Sequence, residues 1–163
     1  MIKRLTLFVI RSLLLFMTVA AVAHADAIRP GDTPVLPVLT TLDGKTINPA
    51  SLRGKVLVIS YFASYCPFCA NEAPKLQKLY SKNTDKLIVI GVNIETKDPQ
   101  QKEKAQQWVR KYQLTHPVTT DFPALERALG KRQGLPVNYV FDKRGMFCLL
   151  YTSPSPRDKR QSR

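Results

Sequence analysis

The chain has 163 residues, enough for one domain with a sizeable core and too few for two ordinary ones. Its formal net charge is +13, from 25 Lys and Arg against 12 Asp and Glu, but the cations are scattered and no aromatic-interleaved basic stripe accompanies them, which excludes a nucleic-acid binder. The three cysteines, Cys66, Cys69 and Cys148, leave one without a mate.

The chain opens on Met1-Ile2-Lys3-Arg4, and Arg11 follows with no acid between. An apolar run over 13–22, interrupted only by Thr18, ends on two small-x-small sites, Ala21-Val22-Ala23 and Ala23-His24-Ala25. This is the pattern of a secretory signal over 1–25, with cleavage favoured before Asp26 over cleavage before His24. The run falls short of the roughly 20 residues a spanning helix needs, so an uncleaved membrane anchor is the lesser alternative. Export to the periplasm places the cysteines in an oxidising compartment, where a close pair can cycle between dithiol and disulfide.

After Arg29-Pro30-Gly31-Asp32-Thr33-Pro34, residues 35–40 alternate loosely and meet Asp43-Gly44, flanked by Thr41-Leu42 and Lys45-Thr46-Ile47. This predicts a β-hairpin. A polar bend over 48–55 leads into Val56-Leu57-Val58-Ile59-Ser60-Tyr61-Phe62, whose near-continuous apolar character suits a central strand covered on both faces. Ala63-Ser64-Tyr65-Cys66-Pro67-Phe68-Cys69 comes next, then a helix over 70–82 with Leu76, Leu79 and Tyr80 at helical spacing. Pro74 inside it predicts a kink.

Residues 87–94 read as a second buried strand, and 99–112 as a polar helix with Ala105, Trp108, Val109 and Tyr112 on its apolar side. A shorter helix over 122–129 precedes Gly134-Leu135-Pro136, a strand over 137–141 and a turn at Asp142-Lys143-Arg144-Gly145. Strands alternating with helices predict an α/β sheet. No internal repeat or linker interrupts the order.

At Cys148 the apolar pattern stops abruptly. Residues 148–158, Cys148-Leu149-Leu150-Tyr151-Thr152-Ser153-Pro154-Ser155-Pro156-Arg157-Asp158, resemble the in-frame translation of a transposase-type sequencing adapter, codon by codon. The expectation is a natural sequence that stops near Phe147 and a foreign read-through tail over 148–163; the alternative is a basic, Ser/Pro-rich disordered tail. Cys148 then drops out of the count. Without the leader and the tail the balance is a moderate +7.

The remaining pair has a chemistry of its own. Two cysteines separated by two residues at a helix start can close a disulfide across one turn, and the first lies beside unsatisfied backbone N–H groups. Those groups and the helix dipole favour the thiolate, drawing the Cys66 pKa from about 8.5 toward roughly 3.5–7.5. Cys66 is therefore the expected nucleophile and Cys69 the resolving cysteine, in the more buried position. No metal or organic cofactor is needed. Half a zinc site is the competing reading, but such a site wants about four ligands. The candidates are His24 in the leader, Cys148 in the tail and His116, a loop residue before a proline that reads as structural or solvent-exposed.

From Gly31 to Phe147 the chain resembles the exported thioredoxin-like reductases of the TlpA, ResA and CcmG group. The resemblance is carried by residues 52–74, Leu52-Arg53-Gly54-Lys55 through Cys66-Pro67-Phe68-Cys69-Ala70-Asn71-Glu72-Ala73-Pro74, by the Asp43-Gly44 hairpin, by Gly91-Val92-Asn93, and by Gly134-Leu135-Pro136 through Phe141-Asp142. It implies a thioredoxin-like fold with an N-terminal hairpin. Pro136 would be cis and lie against the cysteine pair, leaving the Leu135 backbone free to pair with a substrate strand; Tyr65, Pro67 and Phe68 would flank the sulfurs. It also implies reduction of disulfides in exported proteins, with apocytochrome c or a cytochrome-assembly partner as substrate and a membrane thiol donor restoring the dithiol. A monomer is expected.

Three departures bear on what carries over. Tyr65 stands where the family usually has tryptophan, so an aromatic shield remains. Ser60 occupies the position of the buried aspartate of cytosolic thioredoxins; Glu72, one helical turn beyond Cys69, is the nearest replacement as a proton acceptor, with a solvated helix glutamate as the alternative. A foreign tail would leave the last edge strand and closing helix missing or replaced, and the chain poorly stable. Pro67-Phe68 lacks the histidine of strongly oxidising pairs, which points to a reductant. An oxidase or isomerase is the first alternative; a metal or copper chaperone, or another non-catalytic binding module, is the second.

Overall fold

The computed structural model describes residues 27–131 and 134–152. The signal read over 1–25, its cleavage sites and residues 153–163 of the tail lie outside the described residues.

A short hairpin pairs β1 (Leu39–Thr40) with β2 (Thr46–Ile47), Leu39 opposite Ile47. Gly44 supplies the positive φ of +82° that its turn requires. The bend read over 48–55 contains a 3₁₀ turn, Pro49–Leu52, capped by Asn48, whose side chain accepts the Ala50 N–H at 3.0 Å. Next come β3 (Val56–Phe62), α1 (Pro67–Ser81), β4 (Leu87–Asn93) and α2 (Gln101–Lys111). The chain continues through β5 (Val118–Thr119), α3 (Phe122–Leu129), β6 (Val137–Phe141) and β7 (Phe147–Thr152).

The main sheet runs β5-β4-β3-β6-β7. Its first three strands are parallel, and β6 and β7 are antiparallel additions. The hairpin touches the β5 edge through a bridge between Thr41 and Thr119.

Because side chains alternate along a strand, β3 feeds two layers at once. Leu57, Ile59 and Tyr61 face the side where β6 sets Phe141, Tyr139 and Val137 opposite them. There Phe122 of α3 meets Tyr61 edge-on at 5.3 Å, and Leu125 and Leu129 are fully buried. Val58, Ser60 and Phe62 face the other side. Trp108 of α2 stacks on Phe62 at 4.9 Å, and Leu76 and Tyr80 of α1 pack on Val58, Leu87 and Val89. Burying each such side chain is worth about 1.5–3 kcal/mol. The two layers hold the C-terminal end of β3, and the turn that follows it, in place.

Two elements bear on the sequence reading. Helix α1 continues through Pro74, which is on its exposed face, where solvent can serve the carbonyl that loses its N–H. The edge-strand position is filled by residues 147–152, five of which belong to the adapter-like segment. Backbone pairing asks little of side chains, and Cys148 is the extra residue of a bulge, since Phe147 faces Phe141 while Leu149 faces Val140. Among the described residues no helix follows β7.

Candidate active site

The end of β3 turns sharply into α1. The Cys66 N–H donates to the Ala63 carbonyl at 3.1 Å, and Cys66, in an extended conformation, is the N-cap residue of the helix. Pro67 follows at a first-turn position that has no use for an N–H. Cys66 Sγ accepts the Cys69 N–H at 3.1 Å, so sulfur occupies the place that a Ser, Thr or Asp oxygen takes in ordinary caps. The two cysteines are joined as a disulfide with Cα atoms 5.2 Å apart. When that bond opens, the same N–H and the helix dipole act on whatever charge Cys66 carries.

Both cysteines are recessed, Cys66 at 6% exposure and Cys69 at 3%, whereas Tyr65 is 72% and Phe68 45% exposed. The surface beside the recessed sulfurs thus presents two exposed aromatic side chains. The Leu135–Pro136 peptide is cis, the form the resemblance implies. Pro136 is buried and Leu135 half-buried.

Behind the pair, Cys69 and Pro136 share a cavity of about 20 Å³ with Ser60, Glu72, Gly91 and His116. That is room for about one water. Glu72 is partly buried, and its Oε1 accepts a hydrogen bond from Asn138 Nδ2 at 2.7 Å. The helix glutamate thus faces the sheet. Asn138 lies opposite Ser60 across the β3–β6 ladder, and Gly91 lies opposite Ser60 on the other side, so a row of small and polar residues runs beneath Cys69. His116 forms the far wall. Burial holds its pKa below the ordinary 6.5, against a smaller upward pull from the Pro117 carbonyl.

Cys66, Cys69, Glu72 and Pro136 from the sequence reading come together here, with Tyr65, Pro67, Phe68 and Leu135 around them. Sequence reasoning missed Asn138, the cavity role of His116, and Glu95, which is buried beside the turn before Cys66. The available signal was a polar residue inside or just after an apolar run.

Residues 33–151 match the model of the AhpC/TSA family. The chain belongs to that family. Among its relatives, a thiol-disulfide oxidoreductase ResA from Bacillus cereus is 31% identical over 109 residues, covering 66% of this chain and 61% of the relative. A thioredoxin-like protein YneN from Bacillus subtilis is 27% identical over 108 residues, covering 66% of this chain and 62% of its own. The chain thus spans about six-tenths of the length of these relatives.

Solved structures agree on the architecture. A thiol:disulfide interchange protein of the thioredoxin family from Chlorobium tepidum superimposes with a TM-score of 0.65 at 28% identity, covering 80% of this chain and 90% of that one. A putative thioredoxin from Neisseria meningitidis gives 0.64 at 28%, covering 83% and 87%. The fold of this AhpC/TSA-family chain is α/β and thioredoxin-like. No helix among the described residues is long and apolar enough to cross a membrane.

Proposed function

We propose that this chain is a thiol–disulfide oxidoreductase that reduces disulfides of exported proteins. The observation that carries the reading is Cys66 Sγ at the N-cap of α1, taking the Cys69 N–H and bonded to Cys69. In the dithiol form, the Cys66 thiolate attacks one sulfur of a substrate disulfide, which makes a mixed disulfide and releases a substrate thiolate that takes up a proton. Cys69 then gives up its proton and attacks Cys66 Sγ, freeing the second substrate thiolate. Two electrons pass to the substrate and the pair ends as the disulfide seen here. Glu72, on the wall of the cavity that Cys69 lines, is the proton acceptor for Cys69. Tyr65, Pro67 and Phe68 form the rim on which substrate docks, and the Leu135 backbone beside Pro136 pairs with its strand.

The same proposal includes export through a signal over 1–25, a working domain over 26–147, a foreign tail over 148–163, apocytochrome c as one substrate and a membrane thiol donor. Recovery of the same tail codons from genomic DNA with unrelated primers would refute the foreign tail.

Turnover on a protein disulfide, with Cys66→Ser as control, tests the core of the reading: the variant loses activity, and equal rates would end it. Glu72→Gln shifts the pH dependence of exchange, and an unchanged profile removes Glu72 from the mechanism. Equilibration with glutathione gives the direction. A potential near about −270 mV fits a reductant, whereas one near about −120 mV makes the chain an oxidase.

A further inference from the structure

Glu95 lies two residues beyond the end of β4, and it is 8% exposed. Its carboxylate makes three hydrogen bonds, all as acceptor. Oε2 takes the Ser64 backbone N–H at 2.7 Å and Asn93 Nδ2 at 2.7 Å, while Oε1 takes the Ser64 hydroxyl at 2.8 Å. Asn93, fully buried, returns the favour by accepting the Glu95 N–H at 2.9 Å, and its own carbonyl accepts Gln101 Nε2 at the start of α2. Lys104 of α2, whose ammonium feels Glu95, is itself paired with Asp98. Glu95 is thus a fixed post on the β4 side with both oxygens committed, and it holds a residue of the opposite turn by its main chain and its side chain at once.

That residue is Ser64, two positions before Cys66. The turn from Ala63 to Cys66 has a single backbone hydrogen bond of its own, the Cys66 N–H to the Ala63 carbonyl, and Tyr65 projects outward with 72% exposure. From these contacts we infer that Glu95 is a positioning residue for the redox pair: by clasping Ser64 it fixes the turn that sets Cys66 Sγ over the first N–H groups of α1. The inference rests on reading Cys66 as the attacking sulfur.

Geometry and charge predict opposite effects. If the clasp positions Cys66, releasing it lets Sγ drift from the Cys69 N–H, so the thiolate loses its donor and the thiol pKa rises. If Glu95 acted through its negative charge alone, removing that charge would lower the thiol pKa.

The test uses the reduced full chain and follows Cys66 alkylation by iodoacetamide against pH, together with kcat/KM on a protein disulfide. In Glu95→Ala the apparent Cys66 pKa rises toward about 8.5, and kcat/KM falls about tenfold to a hundredfold. Glu95→Gln stays close to wild type, because a carboxamide oxygen can take the Ser64 and Asn93 N–H groups while its NH₂ donates to the Ser64 hydroxyl oxygen. Should Glu95→Ala fail to fold, Ser64→Ala removes one arm of the clasp and shifts the titration in the same direction by less. An unchanged titration in the alanine variants, a fall in pKa in any variant, or a Glu95→Gln enzyme as impaired as Glu95→Ala overturns the inference. Cys66→Ser that still turns over would instead overturn the reading beneath it.

Discussion

His116 shows how one buried side chain can colour both stability and chemistry. Its Nδ1 lies 3.1 Å from the Pro117 carbonyl, its ring meets Tyr80 edge-on at 5.8 Å, and it lines the cavity that Cys69 also lines. Desolvation keeps its pKa below 6.5, so at neutral pH it adds no positive charge behind the sulfurs. The stability consequence follows from linkage. Below about 6.5 the unfolded chain binds a proton at this position that the folded chain refuses, so its contribution is complete above that pH and is lost as pH falls toward the folded value. His116→Gln removes the titrating group. In urea unfolding from pH 7.5 to 5.5, wild type should lose stability relative to the variant by up to about 1.4 kcal/mol per pH unit; two parallel curves would show that His116 does not titrate in this way.

At the scale of strands and helices, the site depends on a row of three positions across β4, β3 and β6, namely Gly91, Ser60 and Asn138. A methyl group at Gly91 would come within 3.2 Å of Val118 Cγ2 and 3.3 Å of His116 Cε1. Both neighbours are buried, which leaves them little freedom to give way. Gly91→Ala should cost about 1–3 kcal/mol in denaturant unfolding, and a variant as stable as wild type would mean that the row tolerates a side chain. The frame around this row was legible in the sequence: the apolar runs marked β3 and β4, and Phe122–Leu129 was read with the bounds of α3. Strand β5 was not, because two residues after Pro117 carry no periodicity. The cysteine pair was legible from spacing, and the Leu135–Pro136 geometry only through resemblance. Asn138 and Glu95 were invisible for another reason. A polar residue in an apolar stretch announces that it has a partner but not which one, and here the partners, Glu72 and Ser64, stand 66 and 31 residues away along the chain.

For the molecule as a whole, the last edge of the sheet sets how chains meet in solution. Within the described residues β7 is paired on one side only, with β6. Leu149, Leu150 and Tyr151 on it are each about half exposed. Leu149 and Tyr151, opposite Val140 and Asn138, lie on the α1 side of the sheet, and Leu150 lies on the other, so this edge is apolar on both faces. It carries no lysine or proline among residues 147–152, the devices by which edge strands resist pairing with copies of themselves. The full chain should therefore self-associate as its concentration rises and melt at low temperature. Cys148, an exposed free thiol on the same strand, can also link two chains, so the comparison is made in a Cys148→Ser background. There, adding Leu149→Lys and Leu150→Lys should shift the sedimentation profile toward monomer while leaving disulfide turnover intact, since neither residue is among those that line the cavity behind Cys69. Profiles that do not change, or a cooperative melt at high temperature before any substitution, would show that this edge is protected and that the sheet is stable as it stands.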